Sequence, residues 1–444
     1  MSSMQPEVTL EAILDKQNLK AAFKSVVANK GAPGINGTTT EELRQWFHDN
    51  PHLISTSVAQ GKYKPQPIKR VYIPKYNGDK RPLGIPTVQD RFVQQATAQV
   101  LSDYYEAKFS ENSYGYRPER GAHDAINKAL GYLNEGYIYV IDLDLSKFFD
   151  TVNHSKLLQI LSRDIKDGRV ISLIHKFLKA PVFENGKVGP KTTIGTPQGG
   201  CISPILANIL LNELDQLLDS RGIRFVRYAD DMVIMAKSQK AAERILGKVK
   251  DFLENKLFLK VNEQKTKIGI ASEKSQFLGF AFTKRVSRQR KERNPRATWF
   301  ATVHQKKRDK FQAKVREILD LRAPGGIDAV KLKLERYLVG WFMYYGNAVP
   351  PKWIGQVDQW IRRRIRQIYW KQWKTPQNRY RQIVNRWRKI PSIDEFAYSV
   401  NSYWRMARTP VIHKALGNIT LWAEGWMTLE FALTTEQKQN HKVQ

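Results

Sequence analysis

The chain is poor in cysteine, in long apolar runs and in acidic residues, and each shortage excludes something. Cys201 is the only cysteine among 444 residues, which rules out an internal disulfide or a cysteine-rich zinc site and agrees with a reducing cytosol. No apolar run approaches the ~18 residues that span a bilayer, and the N-terminus lacks the charged-then-apolar profile of a secretory signal. The expectation is an intracellular soluble protein with no membrane partner. Acidic residues number 42 against 73 lysines and arginines, a formal charge of +31, and such an excess calls for a polyanionic partner.

That charge is unevenly spread. Residues 1–280 carry 39 basic and 30 acidic side chains, whereas 281–444 carry 34 and 12. The last third is therefore the main electrostatic footprint, and it also holds ten of the eleven tryptophans. Cations interleaved with aromatic rings can serve helical packing, phosphate contacts and base stacking together. The length allows two or three domains.

Apolar spacing predicts helices over 7–29, 91–101, 121–134, 203–219 and 239–255. Thr38 with Glu41 is a candidate capping box for a helix containing Leu43, Trp46 and Phe47. Residues 69–75 and 81–86 read as a basic hairpin around Asn77-Gly78, shaped to lie over a phosphate chain. Tyr137–Leu143 reads as a strand. Strands and helices alternate without the regular repeat of a doubly wound domain, so an antiparallel sheet backed by helices is expected. Beyond about residue 295 the pattern predicts basic helices.

The chemistry centres on Tyr228-Ala229-Asp230-Asp231, two adjacent carboxylates between apolar runs. Alternation along a strand would send them to opposite faces, so both can serve one site only from a tight hairpin. A further carboxylate ends the strand at 137–143, and spacing alone leaves Asp142 and Asp144 as rivals for that role. Three such carboxylates could hold two divalent ions for phosphoryl transfer, and their mutual repulsion makes cations physically expected.

Several of these segments together resemble the reverse transcriptases encoded by bacterial group II introns. They are Arg81-Pro82-Leu83-Gly84-Ile85-Pro86-Thr87, Asp144-Leu145-Ser146-Lys147-Phe148-Phe149-Asp150, Thr196-Pro197-Gln198-Gly199-Gly200, Tyr228-Ala229-Asp230-Asp231, Asn262-Glu263-Gln264-Lys265-Thr266-Lys267 and Phe277-Leu278-Gly279-Phe280. The segment 334–345 is similar to the maturase region of the same family. The resemblance implies an α+β right-hand polymerase, with fingers and an antiparallel palm sheet, followed by a helical thumb and a small basic helical domain. The expected division is an N-terminal extension at 1–60, fingers and palm at 61–290, thumb at 291–350 and a basic RNA/DNA-binding domain at 351–444.

The same resemblance selects Asp144 over Asp142 as the metal ligand, joined by Asp230, Asp231 and the Leu145 carbonyl, and implies two Mg²⁺ ions with Mn²⁺ as a substitute. It assigns Phe149 to the sugar 2′ position, where an aromatic face can neither accommodate nor hydrogen-bond a hydroxyl. Lys75, Arg81 and Gln198 would bind the nucleotide, and Lys265 would stand near the leaving pyrophosphate as a general acid. Phe277, Leu278 and Gly279 would grip the primer end, and Lys69 and Arg70 would meet the template. Gly31–Gly37 would clamp the template end.

In the basic third, Lys307, Lys310, Arg362, Arg363, Arg364 and Arg366 are the expected nucleic-acid contacts, read by shape and phosphate rather than base edges. The partners implied are intron RNA, an RNA template with DNA primer, target DNA and dNTPs, with the protein in the bacterial cytoplasm and at the nucleoid when acting on DNA. No zinc-spaced cysteines or histidine-rich nuclease pattern follows residue 430, so a C-terminal endonuclease is expected to be absent. The expected activity is RNA-directed DNA synthesis together with intron binding for splicing and retromobility. The alternatives are a splicing cofactor that does not polymerise and a reverse transcriptase recruited to host defence.

Overall fold

The computed structural model describes residues 7–74, 78, 80–286, 297–322, 326–387 and 392–431. By internal contacts the chain divides into two compact units, Met1–Ala271 and Ser272–Gln444. The first contributes strands β1 (Ile68–Pro74), β2 (Lys80–Ile85), β3 (Tyr139–Leu143), β4 (Val182–Glu184), β5 (Lys187–Val188), β6 (Arg224–Tyr228), β7 (Asp231–Ala236) and β8 (Lys267–Ile270). The second contributes β9 (Phe280–Val286) and β10 (Ala297–Val303).

The first unit holds two sheets. One has the order β2-β1-β4-β5, built on the expected basic hairpin: β1 and β2 pair antiparallel, with Arg70 opposite Gly84 and Ile73 opposite Arg81. The other has the order β6-β7-β3-β8, and its three pairings are antiparallel as expected. Alternation along the strands gives this sheet two chemically distinct faces. Ile141, Leu143, Phe225, Met232, Ile234 and Ala236 join one core with Leu157, Ile160, Leu206, Leu210 and Leu214 from the helices His154–Asp164 and Ser203–Ser220. Asp142 and Asp231 point to the opposite face, beside the buried Val140, Val226, Val233 and Met235.

Two local expectations are corrected. The reciprocal cap before Leu43 forms one residue later than expected: Glu42 N donates to Thr39 Oγ1 at 3.3 Å and Thr39 N donates to Glu42 Oε2 at 2.9 Å. The pair closes the turn at 40–42, and the helix that follows starts at Leu43 without a side-chain cap of its own. Second, the region past residue 295 is not purely helical, because β10 pairs along its whole length with β9. Its β-branched and aromatic residues, Thr298, Trp299, Phe300, Thr302 and Val303, suit a pleated surface better than a helix.

Helices dominate the remainder of the second unit, led by Gln305–Ile318, Gly326–Tyr345 and Pro351–Gln372. The stripe of Phe311, Val315, Ile318 and Leu319 is buried, as are Leu334, Leu338 and Phe342. Phe311 packs against Tyr337, Trp341 and Trp353 with ring centroids 4.5–5.7 Å apart, so these aromatics build core. Among the described residues, no helix is long and apolar enough to cross a membrane.

Burial also corrects the expected basic surface. Arg362 and Arg366 are 7% and 5% exposed, on the same face of Pro351–Gln372 as Ile361 and Ile365. Arg366 donates through Nε to the Leu416 carbonyl at 3.0 Å and lies 3.1 Å from His413 Nε2. Arg362 lies within 4.0 Å of the carboxylates of Asp358 and Glu430. Their guanidinium groups join helices and cannot track a phosphate chain. Arg366→Ala is therefore expected to lower the stability of this unit by about 1–3 kcal/mol, the cost of a buried carbonyl left unpaired. Thermal unfolding would show the loss, and the salt dependence of polyanion binding by the folded variant should stay unchanged.

Candidate active site

The adjacent aspartates escape strand alternation by sitting at the end of a two-residue hairpin. Tyr228 pairs with Asp231, leaving Ala229 and Asp230 as the turn. Ala229 has a φ of 59°, a left-handed conformation costly for a residue with a Cβ. Asp230 is thus carried by the turn and Asp231 by the first position of β7. Leu143 pairs with Met232, so Asp144, one residue on, falls opposite Asp231. Three carboxylates from two neighbouring strands reach the same end of the sheet.

The segment 260–266 grips Asp144. Asn262 N donates to the Asp144 carbonyl at 2.8 Å, and its side-chain Nδ2 donates to Asp144 Oδ2 at 2.9 Å. Thr266 Oγ1 accepts from Asp144 N at 3.2 Å, and Ser146 N donates to the Lys260 carbonyl at 2.9 Å. Lys265 Nζ lies 3.2 Å from Asp144 Oδ2. The expected general acid is thus within the site, with its ammonium resting on a carboxylate. Asn262 belongs to the motif read from the sequence, but nothing in the spacing signalled that it bonds Asp144 at two points.

Asp142 shares a face with these groups, since it pairs with Val233 on β7 and Lys267 on β8. Burial raises its carboxyl to about 6, the charges of Asp231 and Asp144 push the same way, and Lys267 opposes. These carboxylate oxygens suit a hard divalent cation, and the charges of Asp231 and Asp144 add to the burial that raises Asp142. Among the described residues no three His, Cys, Asp or Glu side chains stand close enough together to hold a metal ion, in keeping with Asp144 being turned toward Asn262 and Lys265.

A cavity of about 230 Å³ lies against the first sheet, lined by Arg70, Phe149, Pro197 and Gln198 among others. Phe149 is buried and meets Phe148 edge to face at 5.1 Å. Gln198 is tied to β2 at two points: its carbonyl accepts from Gly84 N at 2.7 Å, and its Oε1 accepts from Arg81 Nε at 2.8 Å. Arg81 and Gln198 are thus brought together, and Gln198 and Phe149 share one cavity. Lys69 is half-buried on β1. Lys75 lies outside the described residues.

In the second unit, Phe277 and Phe280 bridge across a turn in which Leu278 and Gly279 both have positive φ, 51° and 88°. Tyr344 donates to the Leu278 carbonyl at 3.1 Å, and a Cβ on Gly279 would stand 2.5 Å from the Tyr345 hydroxyl and 3.1 Å from Lys307 Cε. The expected primer-gripping turn and Lys307 are neighbours there. Lys310 is exposed, while Arg363 and Arg364 are half-buried, Arg364 donating to the Leu319 carbonyl at 3.3 Å.

Two family models match the chain: "Reverse transcriptase (RNA-dependent DNA polymerase)" over residues 73–282 and "Group II intron, maturase-specific domain" over 308–387. Protein YkfC of Escherichia coli is 33% identical over 71% of this chain and 92% of its own length. The group II intron-encoded protein LtrA of Lactococcus lactis is 31% identical over 58% of this chain and 54% of its own, so the chain matches about half of that relative. The putative COX1/OXI3 intron 2 protein of Saccharomyces cerevisiae is 28% identical over 61% of this chain and 38% of its own length.

The Asp142 carboxyl yields a prediction for the metal-free protein. Between about pH 4 and 6 the folded protein holds a proton there that the unfolded chain has released, so stability falls as pH rises through that window. Asp142→Asn removes this penalty. Denaturant unfolding in chelator is expected to find the variant more stable than wild type at pH 7.5, with the difference closing toward pH 4.

Proposed function

The chain belongs to the reverse transcriptase family and carries a group II intron maturase-specific domain, and from that premise we propose that it extends a DNA primer along an RNA template and binds intron RNA to assist splicing. The observation that carries the polymerase reading is the register that sets Asp144 opposite Asp231, with Asp230 in the adjoining turn.

In this reading the primer 3′-oxygen attacks the α-phosphorus of a dNTP. The new O–P bond forms as the bond to the bridging oxygen breaks, and pyrophosphate leaves. Asp144, Asp230, Asp231 and the Leu145 carbonyl would hold Mg²⁺, or Mn²⁺ in its place. Such ions, two in number in our reading, activate the hydroxyl and stabilise the leaving oxygens when bound. The protein's own groups do the positioning. Asn262 and Thr266 hold the Asp144 backbone, Arg81 and Gln198 offer donors to the nucleotide, and Phe149 closes the space a 2′-hydroxyl would need. Lys265 is placed to donate a proton to the departing pyrophosphate. Lys75 is proposed to join Arg81 at the triphosphate. Phe277, Leu278 and Gly279 are proposed to meet the primer, and Lys69 and Arg70 the template.

The second activity rests on the maturase-specific match and on the charge of the last third. We assign the helices from Gln305 onward to thumb and RNA-binding functions, using exposed cations such as Lys310 with the half-buried Arg363 and Arg364. The partners proposed are intron RNA and target DNA. Phosphate-dominated binding of this kind weakens steeply with salt.

Primer extension on RNA with dNTPs and Mg²⁺ tests the polymerase claim. Wild type is expected to synthesise DNA, and Asp230→Ala to lose at least ~10³-fold in rate, a loss of about 4 kcal/mol of transition-state stabilisation. If Asp230→Ala still binds a cognate intron and lowers its Mg²⁺ requirement for splicing, the two activities separate; no effect of wild type on that requirement would remove the splicing claim. Phe149→Ala should narrow the preference for dNTP over rNTP by roughly 10–100-fold, measured as the ratio of the two kcat/KM values, with dNTP incorporation retained.

A further inference from the structure

Two residues before the turn at Ala229 and Asp230 stands Arg227, a residue that the reaction as described does not use. It is 0% exposed, unusual for the most polar of side chains. Its Nε donates to Asp215 Oδ1 at 2.9 Å and Oδ2 at 3.0 Å, and Nη2 completes the bidentate pair. Asp215 is likewise fully buried, on the helix Ser203–Ser220. The remaining arm is turned toward the hairpin: Nη1 donates to Asn208 Oδ1 at 2.9 Å and to the carbonyl of Ala229 at 2.9 Å.

A buried ion pair is a poor way to gain stability, because desolvating both charges offsets their attraction. It is a good way to fix geometry. The contact to Ala229 is the informative one, since joining the helix to the sheet needs only Asp215. Ala229 is the residue whose left-handed backbone makes the turn, and a strained conformation persists only where its surroundings hold it.

The opposite side of the turn is held as closely. Asn208 Nδ2 donates to the Gly115 carbonyl at 2.8 Å, and a Cβ on Gly115 would lie 2.2 Å from Ala229 N and 2.9 Å from the Tyr228 carbonyl carbon. The loop before Gly115 joins β6 through Arg227 itself, whose N donates to the Asn112 carbonyl and whose carbonyl accepts from Tyr114 N, both at 2.9 Å. Arg227, its carboxylate partner Asp215 and the Asn208 amide thus brace the turn, and the Gly115 backbone packs closely against it.

We propose that Arg227, oriented by Asp215 and Asn208, is a positioning residue that clamps the Ala229 carbonyl and thereby sets where Asp230 and Asp231 stand. This rests on the polymerase reading above for its consequence in synthesis, but the clamp itself is testable through metal binding alone.

Two variants test it. Arg227→Lys keeps a positive charge beside Asp215 and lacks the second arm that reaches Ala229. The double variant Arg227→Met with Asp215→Leu removes both charges, a replacement that buried pairs tolerate in stability. Mn²⁺ affinity is read by electron paramagnetic resonance, with Asp230→Ala marking the loss of the site. Single-turnover extension gives the rate constant and the dNTP dissociation constant separately, and thermal unfolding reports folding.

Outer supports of a metal site are worth about 10–100-fold in affinity or activity. Both variants are expected to unfold within a few degrees of wild type, to bind Mn²⁺ at least ~10-fold more weakly and to extend ~10–100-fold more slowly. Their dNTP dissociation constant should change little. Either variant folding normally with wild-type Mn²⁺ affinity overturns the clamp. Should one variant not fold, the other decides by the same criterion. Failure of wild type to make DNA would sink the polymerase reading and leave the Mn²⁺ comparison to judge this one.

Discussion

The register of β3 between β7 and β8 is the constraint on which the first unit depends. Leu143 opposite Met232 and Ile141 opposite Ile234 place apolar side chains on the helix-covered face. The carboxylates at 142, 144 and 231 must then occupy the other. A slip of one residue would exchange the two sets and drive carboxylates among isoleucine, leucine and methionine, each at a desolvation cost of several kcal/mol. Burial of the apolar face therefore enforces the geometry of the proposed site, and the hairpin adds Asp230 at the one place where strand alternation is broken.

What the core secures, electrostatics opposes. Carboxylates gathered at one end of a sheet repel each other, and the Asp142 carboxyl, raised chiefly by burial, is pushed further up by Asp231 and Asp144. The protein answers with cations and amides: Lys267 across from Asp142, Lys265 on Asp144, and Asn262 holding both the backbone and side chain of Asp144. These contacts stabilise the carboxylates without covering Asp231, which is exposed. Carboxylates gathered at this electrostatic cost are suited to a divalent cation, and a strained turn held by Arg227 and Gly115 is suited to keeping them in one place.

The excess of positive charge divides between two jobs. In the second unit some arginines have been drawn inside, where Arg366 and Arg362 tie the helix Pro351–Gln372 to residues 413–430. Tryptophans follow the same division: Trp370 and Trp426 are buried, whereas Trp404 is 53% exposed. Composition counts charges and rings without regard to the side of the helix on which they fall. A run such as Arg362-Arg363-Arg364 wraps most of the way round a helix, so its members cannot all face one partner.

Adjacent aspartates flanked by apolar runs, and a strand ending in further acids, were enough to read a carboxylate-bearing hairpin and an antiparallel sheet, because side-chain alternation is a local rule. The motifs read in order along the chain likewise carried the family. Local rules could not reveal Asn262 on Asp144, Arg227 on Ala229, or Gly115 against the turn, since these contacts join residues 114–118 positions apart or depend on which side of a helix faces a sheet. They also gave no strand at β10, where strand signals thin out and whose partner is needed before its pattern means anything, and they placed Arg362 and Arg366 at the surface. The sequence by itself determined the chemistry, through carboxylates that have no use among apolar neighbours and cations that need an anion. Only the tertiary structure decided which of those charges meet, because burial and distant hydrogen bonds are properties of the packed chain.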